Sequence, residues 1–257
     1  MKVVRTIREL SSERRDGSVG LVPTMGAFHD GHLSLFRAAR AENDVVVVSL
    51  FVNPAQFGAG EDLATYPRDE ERDVRLAQGE GVDLLFVPSA EELYPSGFQT
   101  WVEVEELSRR LEGEFRPGHF RGVATICLKL FNIVGPDRAY FGQKDAQQAA
   151  VIRRMVRDLN LELEIRVLPT VRDGDGLAFS SRNAYLSPAE RELALQLPRA
   201  LATKDTAKAR ARLNGLEVDY LEVADFEPRV LAAAVRVGKT RLIDNVVLDN
   251  DEEEHVG

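Results

Sequence analysis

Two histidines separated by two residues are the side chains best suited to chemistry in this sequence. His29 and His32 lie within VPTMGAFHDGHLSLFRAAR, residues 22–40, beside Gly26 and Gly31. Imidazole binds metals, transfers protons and donates hydrogen bonds to phosphate oxygens. A zinc site needs about four ligands, whereas the whole chain has four histidines and one cysteine, so partner ligands are scarce. Metal binding is therefore disfavoured, and catalysis, phosphate binding and packing stay open.

The position of the histidine pair along the chain favours phosphate. A strand-like run over residues 19–24 ends just before the pair, and a helical pattern from Gly31 to Glu42 begins at it. A helix start has unpaired N–H groups and the positive end of the helix dipole, which together attract phosphate. Imidazoles placed there would also stabilise the charge that develops as pyrophosphate leaves. We therefore predict a phosphate site.

Short apolar runs alternate with helical patterns over the first part of the chain, which predicts an α/β fold. The run VVVVSLFV, residues 45–52, is apolar on both faces, as in a parallel sheet covered on both sides. We expect a Rossmann-like doubly wound parallel sheet over residues 1–169. Ligands bind such sheets beyond the carboxyl ends of the strands, where PTMGAFHDGH and FVNPAQF fall. The predicted strands are 19–24, 45–52, 83–87, 138–141 and 162–167, and the predicted helices are 31–42, 69–80, 123–134 and 146–159.

The rest of the chain, residues 170–257, predicts a smaller C-terminal α+β domain. A helical pattern over residues 188–212 precedes short strand patterns in VDYLEVAD and TRLIDNVVL. The last nine residues, DNDEEEHVG, form an acidic run that we interpret as a solvated end.

Composition excludes several classes of protein. A net charge of −9 argues against broad nucleic-acid binding, which needs a cationic surface. The charged segment MKVVRTIRELSSERR lacks the apolar core of a signal peptide, and no apolar run is long enough to cross a bilayer. We expect a cytoplasmic protein without membrane contact. Cys127 lies in the apolar stretch VATICLKLFNIV and is predicted to be a buried thiol.

Two segments imitate known nucleotide or metal motifs without completing them. RVGKT, residues 236–240, ends like a P-loop, but Ala233 occupies the place of the first glycine. The run DGDG, residues 173–176, begins like a calcium loop, but Leu177 and Ala184 replace essential ligands. A GxGxxG sequence is also absent. Any nucleotide must therefore be held by the segment with the pattern HxGH, residues 29–32.

Six segments, taken in their order and spacing, closely resemble one family. They are PTMGAFHDGH, SLFVNPAQF, YPRD, RPGHFRGVAT, FGQKDAQQ and GLAFSSRNAYLS. The family is that of the pantothenate synthetases, which join pantoate to β-alanine and belong to the nucleotidylyltransferase superfamily marked by HxGH. HxGH alone indicates only the superfamily, whereas the combination with FVNPAQF, FGQKD and SSRN is highly specific. The resemblance extends from Val19 to the ending RVGKTRLIDNV.

The resemblance implies a reaction in two steps. Pantoate attacks the α-phosphate of ATP, giving a bound pantoyl adenylate and pyrophosphate, and β-alanine then displaces AMP to give pantothenate, a precursor of coenzyme A. ATP is a substrate in this scheme, and Mg²⁺ is expected to be held through the ATP phosphates. The family also implies small-molecule substrates only and a homodimer formed through the first domain.

The resemblance assigns site residues position by position. His29 and His32 would lie against the phosphates, with His32 as proton donor, and Lys144 would also reach the phosphates. Gln56, Gln148 and Asn53 would hold pantoate, because an amide both donates and accepts hydrogen bonds. No protein ligand is assigned to the metal. The ATP-binding set is Met25, Gly26, Ala27, Phe28, His29, Asp30, Gly31, His32, Gly142, Gln143, Lys144, Asp145, Val171, Phe179, Ser180, Ser181 and Arg182. Without the family, SSRN could equally be a capping turn.

The segment RPGHFRGVAT resembles the mobile cover of the family. Gly118 and Gly122 would supply flexibility, and Arg116 and Arg121 would close on the phosphates. Closure would protect the adenylate from water.

The chain departs from the family in two places. The segment LATKDTAKARARLNGL, residues 201–216, is shorter than the helical segment expected there. Either the second domain, which we expect to act as a lid, is reduced, or residues of the natural chain are missing from the sequence. In YPRDEERDVRL, Arg72 and Leu76 occupy positions where some relatives place metal contacts.

Three alternatives remain beside this ligase. Another adenylyl or cytidylyl transferase would explain HxGH but not the two amides Gln56 and Gln148. A class I aminoacyl-tRNA synthetase shares the histidine signature, yet a short acidic chain leaves little room for tRNA. A non-catalytic nucleotide sensor would tolerate a broken site, whereas the basic and hydroxyl side chains expected at the phosphates are all present.

Overall fold

A computed structural model describes residues 1–13 and 15–248 of the chain. The acidic run DNDEEEHVG, which we interpreted as a solvated end, lies outside the described residues.

The chain divides into two compact units. The first contains Met1–Gly142 and Val151–Leu168, and the second contains Gln143–Ala150 and the chain from Pro169 onward. Relative to the predicted domains, residues 1–169 and 170–257, the eight residues after Gly142 belong with the second unit.

The first unit is built on a sheet of six parallel strands in the order β1-β4-β3-β2-β5-β6, flanked by helices. This confirms the predicted fold class. The strands are β1 Lys2–Val4, β2 Val19–Thr24, β3 Val45–Leu50, β4 Leu84–Phe86, β5 Arg138–Gly142 and β6 Glu164–Leu168. The helices are α1 Ile7–Ser12, α2 Asp30–Glu42, α3 Glu70–Gly79, α4 Ala90–Leu93, α5 Glu112–Phe115, α6 His119–Val134 and α7 Ala146–Asp158, whose first turn belongs to the second unit.

Alternate residues of the central strands enter two separate cores. Leu21 and Val47 pack in one core with residues of α6, and Val22 and Val48 pack in the other core with residues of α2. Successive side chains of a strand point to opposite faces, so each core covers one face of the sheet. Strands buried on both faces explain the continuous apolar runs in the sequence.

The predicted elements of the first unit differ from the observed ones mainly at their ends. Strand β2 has the predicted bounds, whereas α6 begins at His119 rather than at Val123. Strand β1 and helices α1, α4 and α5 were not predicted, because elements this short have too little periodic signal. Cys127 is buried in α6 as predicted, and desolvation raises the pKa of its thiol to about 12. No helix within the described part of the chain is long and apolar enough to cross a membrane.

The second unit carries an antiparallel sheet in the order β7-β8-β9. Strand β8 was not predicted, and the P-loop-like RVGKT is the β8–β9 hairpin, with Val237 paired to Thr240 around the two-residue loop. The elements are α8 Pro188–Ala194, α9 Gln196–Leu201, α10 Thr206–Arg212, β7 Glu217–Ala224, β8 Val230–Val237 and β9 Thr240–Val247.

The short segment after Leu201 folds into a packed structure. The single helical pattern predicted over residues 188–212 is three helices, and Lys204 adopts a positive φ of 53° in the turn before α10. Leu201, Ala209 and Leu213 are buried in the core of the second unit. These side chains of the segment therefore contribute to the core of its unit.

Candidate active site

The histidine pair lies at the carboxyl edge of the large sheet. Residues 25–29 connect β2 to α2, and residues 30–32 form the first turn of α2. The strand order reverses beside β2, because β3 lies on one side of it and β5 on the other. Such a reversal opens a crevice at the carboxyl ends of the strands, which here are Thr24 and Gly142. The predicted location of the pair is therefore confirmed.

A buried carboxylate holds the loop that carries His29. Asp73 of α3 is 1% exposed, and its two oxygens accept hydrogen bonds from the backbone N–H groups of Ala27 and Phe28, each at 2.7 Å. Arg72 donates from Nη1 to the Phe28 carbonyl at 2.8 Å. Burial raises the pKa of Asp73, and the two backbone hydrogen bonds oppose that shift. Asp73 and Arg72 of α3 thus bind N–H groups and a carbonyl of the same loop.

The loop conformation favours glycine at position 26. Gly26 and Ala27 both have left-handed backbone angles, with φ of 84° and 52°. A Cβ atom on Gly26 would lie 3.0 Å from Asp73 Oδ2. A larger residue at position 26 would therefore displace the carboxylate that anchors the loop.

Sequence reasoning missed Asp73. The segment YPRDEERDVRL reads as a polar helix, and Asp73 is one acid among several. The available signal was its spacing of four residues from Ala77, which is also buried on α3. That spacing places the two on one helix face, but it does not identify a loop 45 residues away as the partner of Asp73.

The two imidazole rings lie side by side. Their centroids are 4.1 Å apart with planes inclined by 33°. The backbone N–H of His29 donates to His32 Nδ1 at 3.4 Å, so Nδ1 is the acceptor and a neutral ring carries its proton on Nε2. Phe28, in contrast, is 1% exposed and packs edge-on against Phe36 at 5.0 Å. The side chain of Phe28 therefore belongs to the core.

Asn53 caps, and Gln56 ends, a single 3-10 turn after β3. Asn53 precedes the turn and accepts from Ala55 N at 3.2 Å, while its Nδ2 donates to Gln56 Oε1 at 3.0 Å. Gln56 Nε2 lies 3.1 Å from Met25 Sδ. The structure thus brings together the predicted amides Asn53 and Gln56 and the predicted Met25. Gln148 lies in the first turn of α7, which belongs to the second unit, and its pairing with Gln56 stays a prediction.

The expected mobile cover is the start of helix α6. Gly122 lies inside α6, where a Cβ atom would be 2.3 Å from the Ala55 carbonyl oxygen, so close packing rather than flexibility requires glycine there. Arg116 forms a two-point ion pair with Glu61, at 2.6 Å and 2.9 Å. The Arg121 guanidinium lies 4.6 Å from the centre of the Trp101 ring. The assignment of flexibility to Gly122 was wrong, and both arginines have protein partners.

In the second unit, β9 holds the turn that carries Lys144. Residues 143–145 form a 3-10 turn, and the Asn245 Nδ2 donates to the carbonyls of Gln143 and Lys144 at 2.8 Å and 2.9 Å. The Gln143 amide returns a bond to Asn245 Oδ1 at 3.1 Å. The Lys144 Nζ lies 3.4 Å from Asp145 Oδ1. Sequence reasoning did not single out Asn245.

The SSRN segment forms a capped turn. The Ser180 Oγ accepts from Arg182 N at 3.3 Å and begins the 3-10 turn Ser181–Tyr185. Phe179 N donates to the carbonyl of Val171 at 3.1 Å, which joins two predicted nucleotide contacts. Ser180 therefore has the capping role that the sequence allowed, whereas the phosphate role of the segment stays a prediction.

The calcium-like run is a partner of an arginine. Arg191 binds Asp173 and donates from Nε to Asp175 Oδ2 at 2.8 Å. Within residues 1–13 and 15–248, no group of three histidine, cysteine or acidic side chains is placed to hold a metal.

Comparison with known proteins agrees with the resemblance in sequence. The chain matches the family described as Pantoate-beta-alanine ligase over residues 1–247. A pantothenate synthetase of Acidobacterium capsulatum is 53% identical over 277 residues, covering 95% of this chain and 93% of the relative. One from Moorella thermoacetica is 52% identical, covering 97% and 99%. The alignment with the first relative is longer than the 257 residues of this chain, so that relative contains residues with no counterpart here.

Solved structures agree with the fold. The crystal structure of pantothenate synthetase from Thermus thermophilus has a TM-score of 0.92 and 47% identity, covering 96% of this chain and 99% of that chain. The Francisella tularensis pantoate-beta-alanine ligase, crystallised with beta-gamma ATP and beta-alanine, has a TM-score of 0.86 and 37% identity, covering 96% and 97%.

Proposed function

We infer that the protein is an ATP-dependent ligase of pantoate and β-alanine, because the chain belongs to the pantoate-beta-alanine ligase family. The observation that carries this inference is the family match over nearly the whole chain, together with an HxGH loop held at a helix start beyond the carboxyl end of β2. The product is pantothenate, and the reaction belongs to its biosynthesis.

The reaction is balanced in two steps. An oxygen of the pantoate carboxylate attacks the α-phosphorus of ATP, and the bond to the β-phosphate oxygen breaks, which gives pantoyl adenylate and pyrophosphate. The amine of β-alanine then attacks the activated carbonyl, loses a proton and displaces AMP. A free carboxylate is a poor acyl donor, so the first step supplies the leaving group. Neither step needs a protein nucleophile, and positioning and charge stabilisation supply the catalysis.

In the first unit, His32 is the better candidate for the hydrogen-bond donor to the leaving pyrophosphate. Its Nδ1 faces the backbone N–H of His29, so the proton of the neutral ring is on Nε2, away from that contact. We assign His32 Nε2 to the leaving pyrophosphate and His29 to the phosphates beside it. The start of α2 adds the positive end of its dipole.

Pantoate is assigned to the amides of the first unit. Gln56 and Asn53 are 8% and 1% exposed, and an amide fixed in this way recognises both hydroxyl and carboxylate groups. Gln148, which belongs to the second unit, is assigned to pantoate by the resemblance alone. Lysine or arginine would bind the carboxylate more tightly but would also neutralise it, whereas amides leave it nucleophilic.

In the second unit, we assign Lys144 to the phosphates and Asp145 to the ribose. The hydroxyls of Ser180 and Ser181 and the guanidinium of Arg182 would bind the triphosphate, with Val171 and Phe179 at the adenine. Support comes from the fixed backbone of both turns.

Mg²⁺ would be held through ATP oxygens. The described residues offer no cluster of three acidic or imidazole ligands. When bound, the ion would offset the negative charge of the triphosphate. We further propose a cytoplasmic homodimer without nucleic-acid partners, and light scattering at several concentrations tests the mass.

The decisive experiment supplies ATP and Mg²⁺ with pantoate, with and without β-alanine. We expect pyrophosphate with pantoate alone, and AMP with pantothenate when both substrates are present. Without pantoate-dependent pyrophosphate release, the proposed function would be wrong.

A further inference from the structure

A buried histidine outside the HxGH pair contacts the backbone of the Gln56 turn. His119 is the first residue of α6 and is 9% exposed. Its Nδ1 lies 2.8 Å from the Gln56 carbonyl oxygen, and its Nε2 lies 3.1 Å from Arg116 Nη1. The two-step reaction uses no proton from this side chain.

The partners of His119 determine its protonation. A carbonyl oxygen only accepts hydrogen bonds, so Nδ1 must carry a proton. A guanidinium nitrogen only donates, so Nε2 must be unprotonated. His119 is therefore a neutral ring in the Nδ1–H form. Burial, followed by the charge of Arg116, lowers its pKa to about 4.

Arg116 is itself held in place. Its Nε and Nη2 bind the Glu61 carboxylate at 2.9 Å and 2.6 Å, and Nη2 also lies 3.4 Å from the Gln56 carbonyl. The Arg116 side chain is 15% exposed. A chain of hydrogen bonds thus runs from Glu61 through Arg116 and His119 to the backbone of Gln56.

The contacts of the Gln56 turn fall into two groups. Its backbone is held by His119 and by close packing of Ala55 on Gly122, whereas its amide oxygen accepts from Asn53. Asn53 also donates to the Gly122 carbonyl at 3.2 Å, so both groups end on α6. A shift of the Gln56 backbone would move the amide that we assign to pantoate.

We propose that His119 is a positioning residue for pantoate, acting through the Nδ1–H bond to the Gln56 carbonyl. The inference rests on the proposed role of Gln56. His119 touches no reacting atom, so its loss acts on pantoate binding more than on ATP binding.

The test compares His119→Asn with His119→Gln. The Asn amide nitrogen replaces Nδ1 and retains the donor to Gln56, whereas the Gln amide replaces Nε2 and retains only the acceptor for Arg116. We expect His119→Gln and His119→Ala to raise the KM for pantoate about 10-fold, because the buried Gln56 carbonyl loses the closer of its two donors and keeps only the longer contact with Arg116. His119→Asn should raise it less than about 3-fold, with the KM for ATP nearly constant in all three.

Two readouts make the result decisive. Selective ¹⁵N labelling of histidine should show His119 as the Nδ1–H form, and the Nε2–H form would overturn the proposal. Gln56→Ala serves as the reference variant. If it raises the KM for pantoate while the Asn and Gln variants do not differ, His119 has no positioning role and the proposed function survives. If Gln56→Ala leaves the KM for pantoate unchanged, the assignment of Gln56 fails, and the role of His119 fails with it.

Discussion

The two units hold their candidate site segments by backbone groups of opposite polarity. In the first unit, the Asp73 carboxylate accepts from the N–H groups of Ala27 and Phe28. In the second unit, the Asn245 amide donates to the carbonyls of Gln143 and Lys144. Both anchors are almost fully buried, at 1% and 4% exposure.

The difference explains why one anchor is charged and the other neutral. A carboxylate has only acceptors, which suits two converging N–H groups. An amide nitrogen has two donors, which suits two carbonyls, and the amide oxygen can then accept from Gln143. Exchanging aspartate and asparagine between the two positions should therefore damage both sites, although the side chains have nearly the same shape.

The largest effect is expected for Asn245→Asp. The new carboxylate would face two carbonyl oxygens with only the Gln143 amide as donor, and a buried charge without a countercharge costs about 3–5 kcal/mol. Urea denaturation would measure the loss of unfolding free energy. Asn245→Ala, which removes the donors without adding charge, should cost about 1–3 kcal/mol. Equal losses in the two variants would show that polarity is irrelevant at this position. Asn214→Ala, at an exposed position, is the control for stability.

Lowering the pH should destabilise the first unit, because protonation of the buried His119 is unfavourable in the folded protein. The pKa of His119 is about 4 in the folded protein against an ordinary 6.5, because of burial and Arg116, with the Gln56 hydrogen bond, Glu112 and Glu61 opposing the shift. As the pH falls, the unfolded chain therefore binds this proton before the folded protein does. The contribution of neutral His119 to the unfolding free energy is fully present above pH 6.5 and is lost as the pH falls to about 4. The full loss is about 3 kcal/mol.

The measurement is the difference in unfolding free energy between the wild type and His119→Asn, which does not titrate there. Between pH 7 and pH 4, we expect the wild type to lose up to about 3 kcal/mol of unfolding free energy more than the variant loses. A constant difference would mean that His119 is not held neutral by the fold.

Asp73→Asn should affect both stability and rate. One N–H of the loop would face an amide nitrogen instead of an oxygen, which costs about 2 kcal/mol. Movement of the loop by about 1 Å would lower the adenylation rate by about 100-fold. The matched control is Glu70→Gln, an exposed acid on the same helix, for which less than about 1 kcal/mol is expected. A normal adenylation rate in Asp73→Asn would show that the carboxylate does not position the loop.

His32→Ala separates the chemistry of the loop from its anchoring. We expect an adenylation rate at least ~10-fold lower, because a donor to transition-state charge is lost. His32→Gln retains a donor near Nε2 and should recover part of the rate. Normal adenylation with reduced stability would make His32 a structural residue. His29→Ala, measured in the same way, would resolve the division of roles within the pair.

The fold and part of the site follow from local patterns in the sequence. Val19–Thr24 has the predicted bounds because a strand buried on both faces is a continuous apolar run. HxGH was located correctly because the strand and the helix that flank it are both periodic. Strand β8 was missed, since its run of alanines has no strand preference of its own.

The anchors could not be predicted because each depends on a distant backbone. Asp73 lies 45 residues from its loop partner, and Asn245 lies 102 residues from Gln143. Gly122 illustrates a different limit. Its lack of a side chain suggested flexibility, but the requirement is close approach of Ala55. Sequence alone does not distinguish these two uses of glycine.

The most direct test of the account is exchange of labelled pyrophosphate into ATP, measured with Mg²⁺ and pantoate but without β-alanine. Reversible formation of an adenylate predicts exchange that requires pantoate, falls sharply in His32→Ala and Asp73→Asn, and persists in Glu70→Gln. Formation of pantothenate without any pantoate-dependent exchange would contradict a pantoyl adenylate formed at the HxGH loop.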